Sequence, residues 1–324
     1  MDSRKAGGLF LVQVLISVGV TLWLSFGNPG FELEIIPNLI LSQILLLVPA
    51  LAALIVFREK PSRVISFRPI KVTTCLWIFL FTFLFTPLIV TVNAFSMIFS
   101  ENAVMQVSDE VLKQPYLLMV SIMGILGPFS EEFVFRGVIF GSLRKSGRIT
   151  AAILLQAFLF GLMHMNFNQF CYAFVIGIAL GILVEVTGSL WAGFLMHASI
   201  NASNVTMLYL LNPLLEKMGG TPEAENTTEM MVTAMCVYMV IALVTTSIAV
   251  CVLVAIAKNE NGEGRLRGLL PAKKETLQQN FLIEPEKKKK IVSIWMVAAS
   301  MICFLFMIIT ELFSRGLLIM PSAF

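Results

Sequence analysis

Charge is scarce in this chain: 13% of its 324 residues are Asp, Glu, Lys or Arg, against roughly 25% in an ordinary soluble domain. Taken with 57% hydrophobic residues and a mean hydropathy of +0.87, that deficit excludes a soluble globular fold. Histidine is scarcer still, at two residues. The five cysteines, Cys75, Cys171, Cys236, Cys251 and Cys303, all lie in apolar stretches without CxxC spacing, which argues against a disulfide framework and a thiolate metal site. Neither a fixed-period repeat nor an inverted repeat is present, which argues against a secondary transporter. The first apolar run, residues 8–26, is long for a signal-peptide core and no small-residue cleavage site follows, so it reads as an uncleaved span.

Apolar runs of about 20 residues, the length that crosses a ~30 Å hydrocarbon core, recur throughout. They predict an all-α polytopic membrane protein, a bundle of about eight or nine spans near residues 8–26, 35–57, 73–99, 116–143, 149–165, 170–187, 189–212, 229–257 and 291–312. Three regions follow: N-terminal spans (1–115), a central core (116–212) that holds the unusual polar residues, and C-terminal spans (213–324) with a basic linker at 258–290. With the N-terminus inside, nineteen of the 23 basic residues fall in alternate loops, and the opposite loops are acidic. The positive-inside rule therefore predicts a cytoplasmic N-terminus. The linker, ending in four lysines at 287–290, reads as a flexible cytoplasmic loop and a topological anchor. A glycosylation sequon at Asn226 carries little weight without a eukaryotic secretory route.

Ionisable residues at mid-membrane cost about 2.5–3.5 kcal/mol on insertion scales and are functional candidates by default. Here they form a compact set. Glu131, Glu132 and Arg136 follow Gly127-Pro128, which is expected to kink or break the fourth span. Glu132 and Arg136, spaced i, i+4, share a helix face and can pair, while Glu131 is rotated about 100° away. Both histidines are embedded, with Phe160 four residues before His164 and Asn201 four residues after His197. Glu132 with Arg136 reads most simply as an ion pair that fixes helix packing, and Phe160 as a packing residue. Asn93, Gln156, Asn166, Asn168 and Glu185 read as helix-end or interhelix contacts. Glu131 and the two histidines remain the chemical candidates.

Glu-Glu-x-x-x-Arg, Phe-x-x-x-His and His-x-x-x-Asn, in this order on separate spans with Gly-Ser-Leu-Trp (188–191) just ahead of the last, resemble the CAAX protease and bacteriocin-processing (CPBP, or Abi) intramembrane endopeptidases. The resemblance covers residues 124–204, and Gly193 stands where many members have proline. It implies that Glu131 and His164 hold and activate water, that His197 and Asn201 stabilise the oxyanion, and that Glu132 and Arg136 support them. That division suits hydrolysis, which needs a base for water and donors for the developing charge. No serine or cysteine is arranged with a base as a nucleophile, which favours direct attack by water.

No cofactor is expected. Zinc is the alternative, since Glu and His are competent ligands, but HExxH is absent and the histidines lie on different spans. The expected partners are a membrane-associated peptide or protein substrate and the lipid bilayer, with no nucleic acid. The expected location is a bacterial plasma membrane. A non-catalytic scaffold of the same fold and a proton-coupled transporter are the competing functions. Counting 1.5 Å per residue from the basic loops puts His197 about 12 Å deep, Glu131 about 20 Å and His164 about 24 Å, so straight spans would not align them. A water-filled cavity is required at that depth, and the family resemblance implies that it opens toward the cytoplasm.

Overall fold

The computed structural model describes residues 1–27, 33–100, 102, 106–217, 228–270 and 290–317. Most of the basic linker and Asn226 of the sequon lie outside them. Among the described residues the chain is helical and without strands. Nine principal helices occupy the nine expected spans: α1 (Ser3–Leu22, continued by a π turn at Trp23–Gly27), α2 (Ile35–Val56), α3 (Val72–Ser96), α4 (Tyr116–Ser146), α5 (Ile149–Met163), α6 (Phe167–Thr187), α7 (Leu190–Lys217), α8 (Thr228–Asn259) and α9 (Ile294–Ser314). Seven are long and apolar enough to cross a membrane. The other two are α5, with 15 residues, and α7, which carries His197, Ser199, Asn201, Ser203 and Asn204. The protein is an integral multi-pass membrane protein.

Side chains dictate where these helices begin and end. Asn166 caps α6 by accepting from the Gln169 N–H at 3.0 Å, and Gly188 ends that helix with φ 69°, a left-handed value that glycine adopts without strain. The polar contacts expected between spans are present: the Asn168 amide donates to Asn93 Oδ1 and Ser96 Oγ at 2.9 Å, Gln156 donates to the Gly177 carbonyl at 2.8 Å, and Arg144 pairs with Glu185 at 2.7 Å.

Of the kink or break expected at Gly127-Pro128, no break occurs. α4 stays helical but alternates in winding: α at Tyr116–Met119, π at Val120–Leu126, α at Gly127–Glu132, π at Phe133–Phe140 and a short α then 3-10 ending. The proline's missing N–H and its ring are accommodated at the start of an α segment that follows a wider turn. Both glutamates thus sit at the C-terminal end of a six-residue α segment held between two π segments.

The basic end of the bundle is closed by the stretch between α2 and α3. Its short helical turn, Pro61–Val64, and the following residues fold inward against α4. Contact is close because Gly137 and Gly141 have no side chains: a Cβ at 137 would lie 2.9 Å from Ile65 Cγ1, and one at 141 would collide with the Val64 carbonyl. The start of α7 docks on this inward stretch. The Leu190 N–H donates to Ser66 O at 2.8 Å, the Trp191 indole to Phe67 O at 3.3 Å, and the Ser189 hydroxyl to Arg68 O. α7 therefore begins well inside the bundle, level with the last turns of α4. Seven residues onward, His197 reaches the depth of Glu131, and the apparent mismatch of depths disappears.

A latch at the same end holds the stretch in place. Glu260, buried at the end of α8, accepts from the Lys71 N–H at 2.9 Å, the Thr74 hydroxyl at 2.7 Å and Arg68 Nη2 at 3.2 Å. Arg265 donates twice to the Val186 carbonyl at the end of α6, at 3.0 and 2.8 Å.

Candidate active site

The polar residues of α4, α5 and α7 converge. Glu132 has no exposed side-chain surface, and its Oε1 receives Arg136 Nη1 at 2.8 Å, one turn along the same helix. The same oxygen accepts from His197 Nδ1 at 3.0 Å across the helix interface. Gly193, one turn before His197, permits this approach: a Cβ there would stand 2.6 Å from Glu132 Oε2. On its other side the imidazole presents Nε2 to Glu131 Oε2 at 3.7 Å. His197 is thus held between two carboxylates, hydrogen-bonded to the first and near the second.

Phe160 packs at the centre of the group. Its ring centroid lies 4.2 Å from the Arg136 guanidinium carbon, a cation–π contact in a desolvated setting. Its edge-on neighbours are the His164 ring at 5.0 Å, the Phe135 ring at 5.2 Å and the His197 ring at 5.7 Å. His164 caps α5, and its Nδ1 lies 2.9 Å from the Phe160 carbonyl. With the Nδ1–H donating to that carbonyl, Nε2 keeps a lone pair. Asn201 Nδ2 donates to the Met123 carbonyl in the first π segment of α4 at 3.3 Å.

The two adjacent glutamates differ in access. Glu131 keeps 20% of its side chain exposed and, with His164 and Phe160, lines a cavity of about 390 Å³. Glu132, Arg136, His197 and Asn201 are not among the residues lining it. The opposite wall belongs to helices outside the three motifs: Ser17 and Thr21 of α1 and Asn38, Ser42 and Gln43 of α2. The motifs could not point to these five, each a neutral polar residue in an otherwise apolar span. The Glu132–Arg136 pair and the packing role of Phe160 are as expected. Glu132's bond to His197 lies outside the i, i+4 pattern, because it joins helices 65 residues apart.

The arrangement offers a carboxylate and an imidazole at a cavity wall, a second imidazole behind them, and an ion pair beneath. Among the described residues no group of three or more His, Cys, Asp or Glu side chains is positioned to hold a metal ion.

Residues 113–203 match the family model described as type II CAAX prenyl endopeptidase Rce1-like. A protein of Bacillus subtilis named "Putative membrane peptidase YdiL" is 29% identical over 108 residues, 33% of this chain and 43% of that protein. The "UPF0177 protein YxdF" of Lactococcus lactis is 28% identical over 134 residues, 40% of this chain and 71% of its own length. The "Membrane-embedded CAAX protease MroQ" of Staphylococcus aureus is 32% identical over 102 residues, 30% and 41% of the two chains. The matched region spans less than half the length of the first and third of these relatives. No solved structure matches the chain.

Proposed function

From the match of residues 113–203 to the Rce1-like model and the likeness to named membrane peptidases, we propose that this chain is a CAAX-protease-like intramembrane endopeptidase acting on a membrane-associated protein or peptide in a bacterial plasma membrane. Glu131 takes a proton from a water molecule held between its carboxylate and His164. The water oxygen bonds to the scissile carbonyl carbon, whose oxygen becomes an oxyanion. Glu131 then passes the proton to the leaving amide nitrogen as the C–N bond breaks.

The observation that carries this reading is the division between the paired carboxylates. Glu132 is enclosed and bonded to Arg136 and His197, whereas Glu131 stands at the cavity with His164. A general base must reach water, and Glu131 is the one that does. His197 and Asn201 are proposed as the oxyanion donors. The bond from His197 Nδ1 to Glu132 sets a condition on that role: Nε2 carries a proton to donate only in the imidazolium form. Glu132 is then the anion that stabilises that form, and Arg136 keeps Glu132 in place. Asn201 must exchange its bond to Met123 for one to the oxyanion. The site acts without a metal, with zinc held by the same Glu and His side chains as the alternative.

The test is cleavage of a quenched-fluorescent peptide library by detergent-purified protein beside folded Glu131→Gln and His164→Ala variants. Hydrolysis by the parent, reduced 10²-fold or more in both variants, supports the assignment. Full activity in Glu131→Gln removes it, and an inactive parent moves the weight to a non-catalytic scaffold.

A further inference from the structure

The position of the cavity bears on where the substrate comes from, and this inference rests on the peptidase reading above. The basic loops define one face of the bundle: Arg4 and Lys5 before the body of α1, Arg58 after α2, Arg144 to Arg148 between α4 and α5, and Lys258 at the end of α8. The cavity lies toward the other face. Its α1 residues, Ser17 to Leu24, occupy the half of that helix remote from Arg4, and its α2 residues, Asn38 to Leu46, the half remote from Arg58. His164 and Met165 come from the turn after α5, about 22 Å of helix away from Arg148.

Toward the basic face the interior below Glu131 is packed, and a second cavity at that end, bounded by Arg4, Lys5, Phe57 and Trp295 among others, is lined by none of the site residues. Beneath Glu131 come Glu132, Phe135, Arg136, Ile139, Phe140 and Leu143, each with 2% exposure or less. The inward stretch packs across Gly137 and Gly141, and the latch on Glu260 secures that stretch. The buried faces of α1 and α2 follow the same division. Near the basic end they are apolar, with Ala6, Leu9, Phe10, Val14, Ala50 and Leu54 buried in one cluster. Beyond Gln13, whose amide bonds the Leu46 carbonyl at 2.8 Å, Ser17 and Thr21 of α1 and Asn38, Ser42 and Gln43 of α2 stand on the cavity among leucines. Water reaches a catalytic carboxylate only along a polar route, since unsatisfied polar groups are costly in hydrocarbon.

We infer that the cavity is served from the face opposite the basic loops, so that the substrate is an extracytoplasmic peptide segment laid between the polar halves of α1 and α2 and the Glu131–His164 wall. This departs from the cytoplasmic opening that the family resemblance implies. The basic face is the cytoplasmic one by the positive-inside rule. Ser17, Thr21, Asn38, Ser42 and Gln43 supply neutral donors and acceptors suited to an extended peptide backbone. The Gln43 amide donates to Ser42 Oγ at 3.2 Å, which ties the two cavity residues together.

The test reads the geometry independently of activity. Ser42→Cys and Arg63→Cys variants of the full chain are treated with a membrane-impermeant maleimide in intact cells and in inverted vesicles, with the parent labelled in parallel to subtract its five native thiols. Ser42 is exposed on the cavity, and Arg63 is exposed on the inward stretch at the basic face. The expected result is at least tenfold more labelling of Ser42→Cys in cells than in inverted vesicles, with the reverse for Arg63→Cys. Labelling of Ser42→Cys from the vesicle side alone, from neither side, or on the same side as Arg63→Cys overturns the inference. None of these outcomes touches the peptidase reading, which fails separately if Glu131→Gln stays active.

Discussion

His197 and Glu132 are joined across the α4–α7 interface by a 3.0 Å hydrogen bond from imidazole Nδ1 to carboxylate Oε1, on the same oxygen that receives Arg136 at 2.8 Å. Both partners therefore depend on one buried acceptor. Removing Glu132 leaves a guanidinium enclosed without its counter-charge, and breaking a buried pair from one side costs about 3–5 kcal/mol. We expect Glu132→Ala to lower the thermal transition of the purified protein strongly and to abolish peptide cleavage. The double variant Glu132→Ala/Arg136→Met, which removes both charges, should recover much of the stability and none of the activity. Equal transitions in the single and double variants would show that the pair does not act as a unit.

Gly193 is predicted to tolerate no side chain. The Cβ of alanine would stand 2.6 Å from Glu132 Oε2 and 2.8 Å from Val184 Cγ2, and overpacking of this kind costs about 1–3 kcal/mol. The displaced carboxylate should carry His197 with it, so Gly193→Ala should lose turnover more than stability. Gly8→Ala is the control: nothing lies within 4 Å of its Cβ, and it should be neutral or slightly stabilising. Turnover and melting curves of the two variants decide the matter.

Glu260 should matter for stability and for activity at a distance. It fixes the inward stretch through Lys71, Thr74 and Arg68, and that stretch sets the depth at which α7 begins. Hydrogen bonds to a charged group are worth about 1.5–3 kcal/mol each. Glu260→Ala should lower the melting temperature and reduce peptide cleavage without changing which bond is cut. Unchanged cleavage in a variant with a clearly lowered melting temperature would separate the latch from the site.

Activity should persist through exhaustive chelation, and re-addition of zinc should not raise it. Metal analysis of active protein reads this directly. Stoichiometric zinc lost together with activity would convert Glu131 and the histidines from acid–base groups into ligands.

The span pattern was legible because hydrocarbon imposes one requirement, about 20 apolar residues in a row, which seven of the nine principal helices among the described residues meet. Glu131, Glu132, Arg136, His164 and His197 stood out because such residues in apolar runs are costly. Three features were hidden. The inward stretch after Pro61 looks in sequence like an ordinary basic loop; its placement depends on Gly137 and Gly141, some 75 residues away. The alternation of winding in α4 leaves no compositional mark, so Gly127-Pro128 read as a kink or break rather than as a change of winding. The polar wall of α1 and α2 consists of single neutral residues among leucines, which no motif singles out. In each case the missing information is which surfaces meet, and local propensity does not carry it.

The π segments of α4 have a consequence for how this site can be altered. A π turn holds one more residue than an α turn at nearly the same rise, so it is equivalent to an insertion that the helix has absorbed. Phe133–Phe140 follows the glutamates, contains Gly137 and ends just before Gly141, the two glycines that seat the inward stretch. Deleting one residue there would let the helix rewind to ordinary α geometry while keeping every span intact. Because the wide segment already absorbs an extra residue, the α segment that carries Glu131 and Glu132 would keep nearly its present orientation relative to Gly141. A single-codon deletion in the wide segment should thus leave the glutamates in phase, whereas the same deletion in an α segment of that span would swing what precedes it by about 100°.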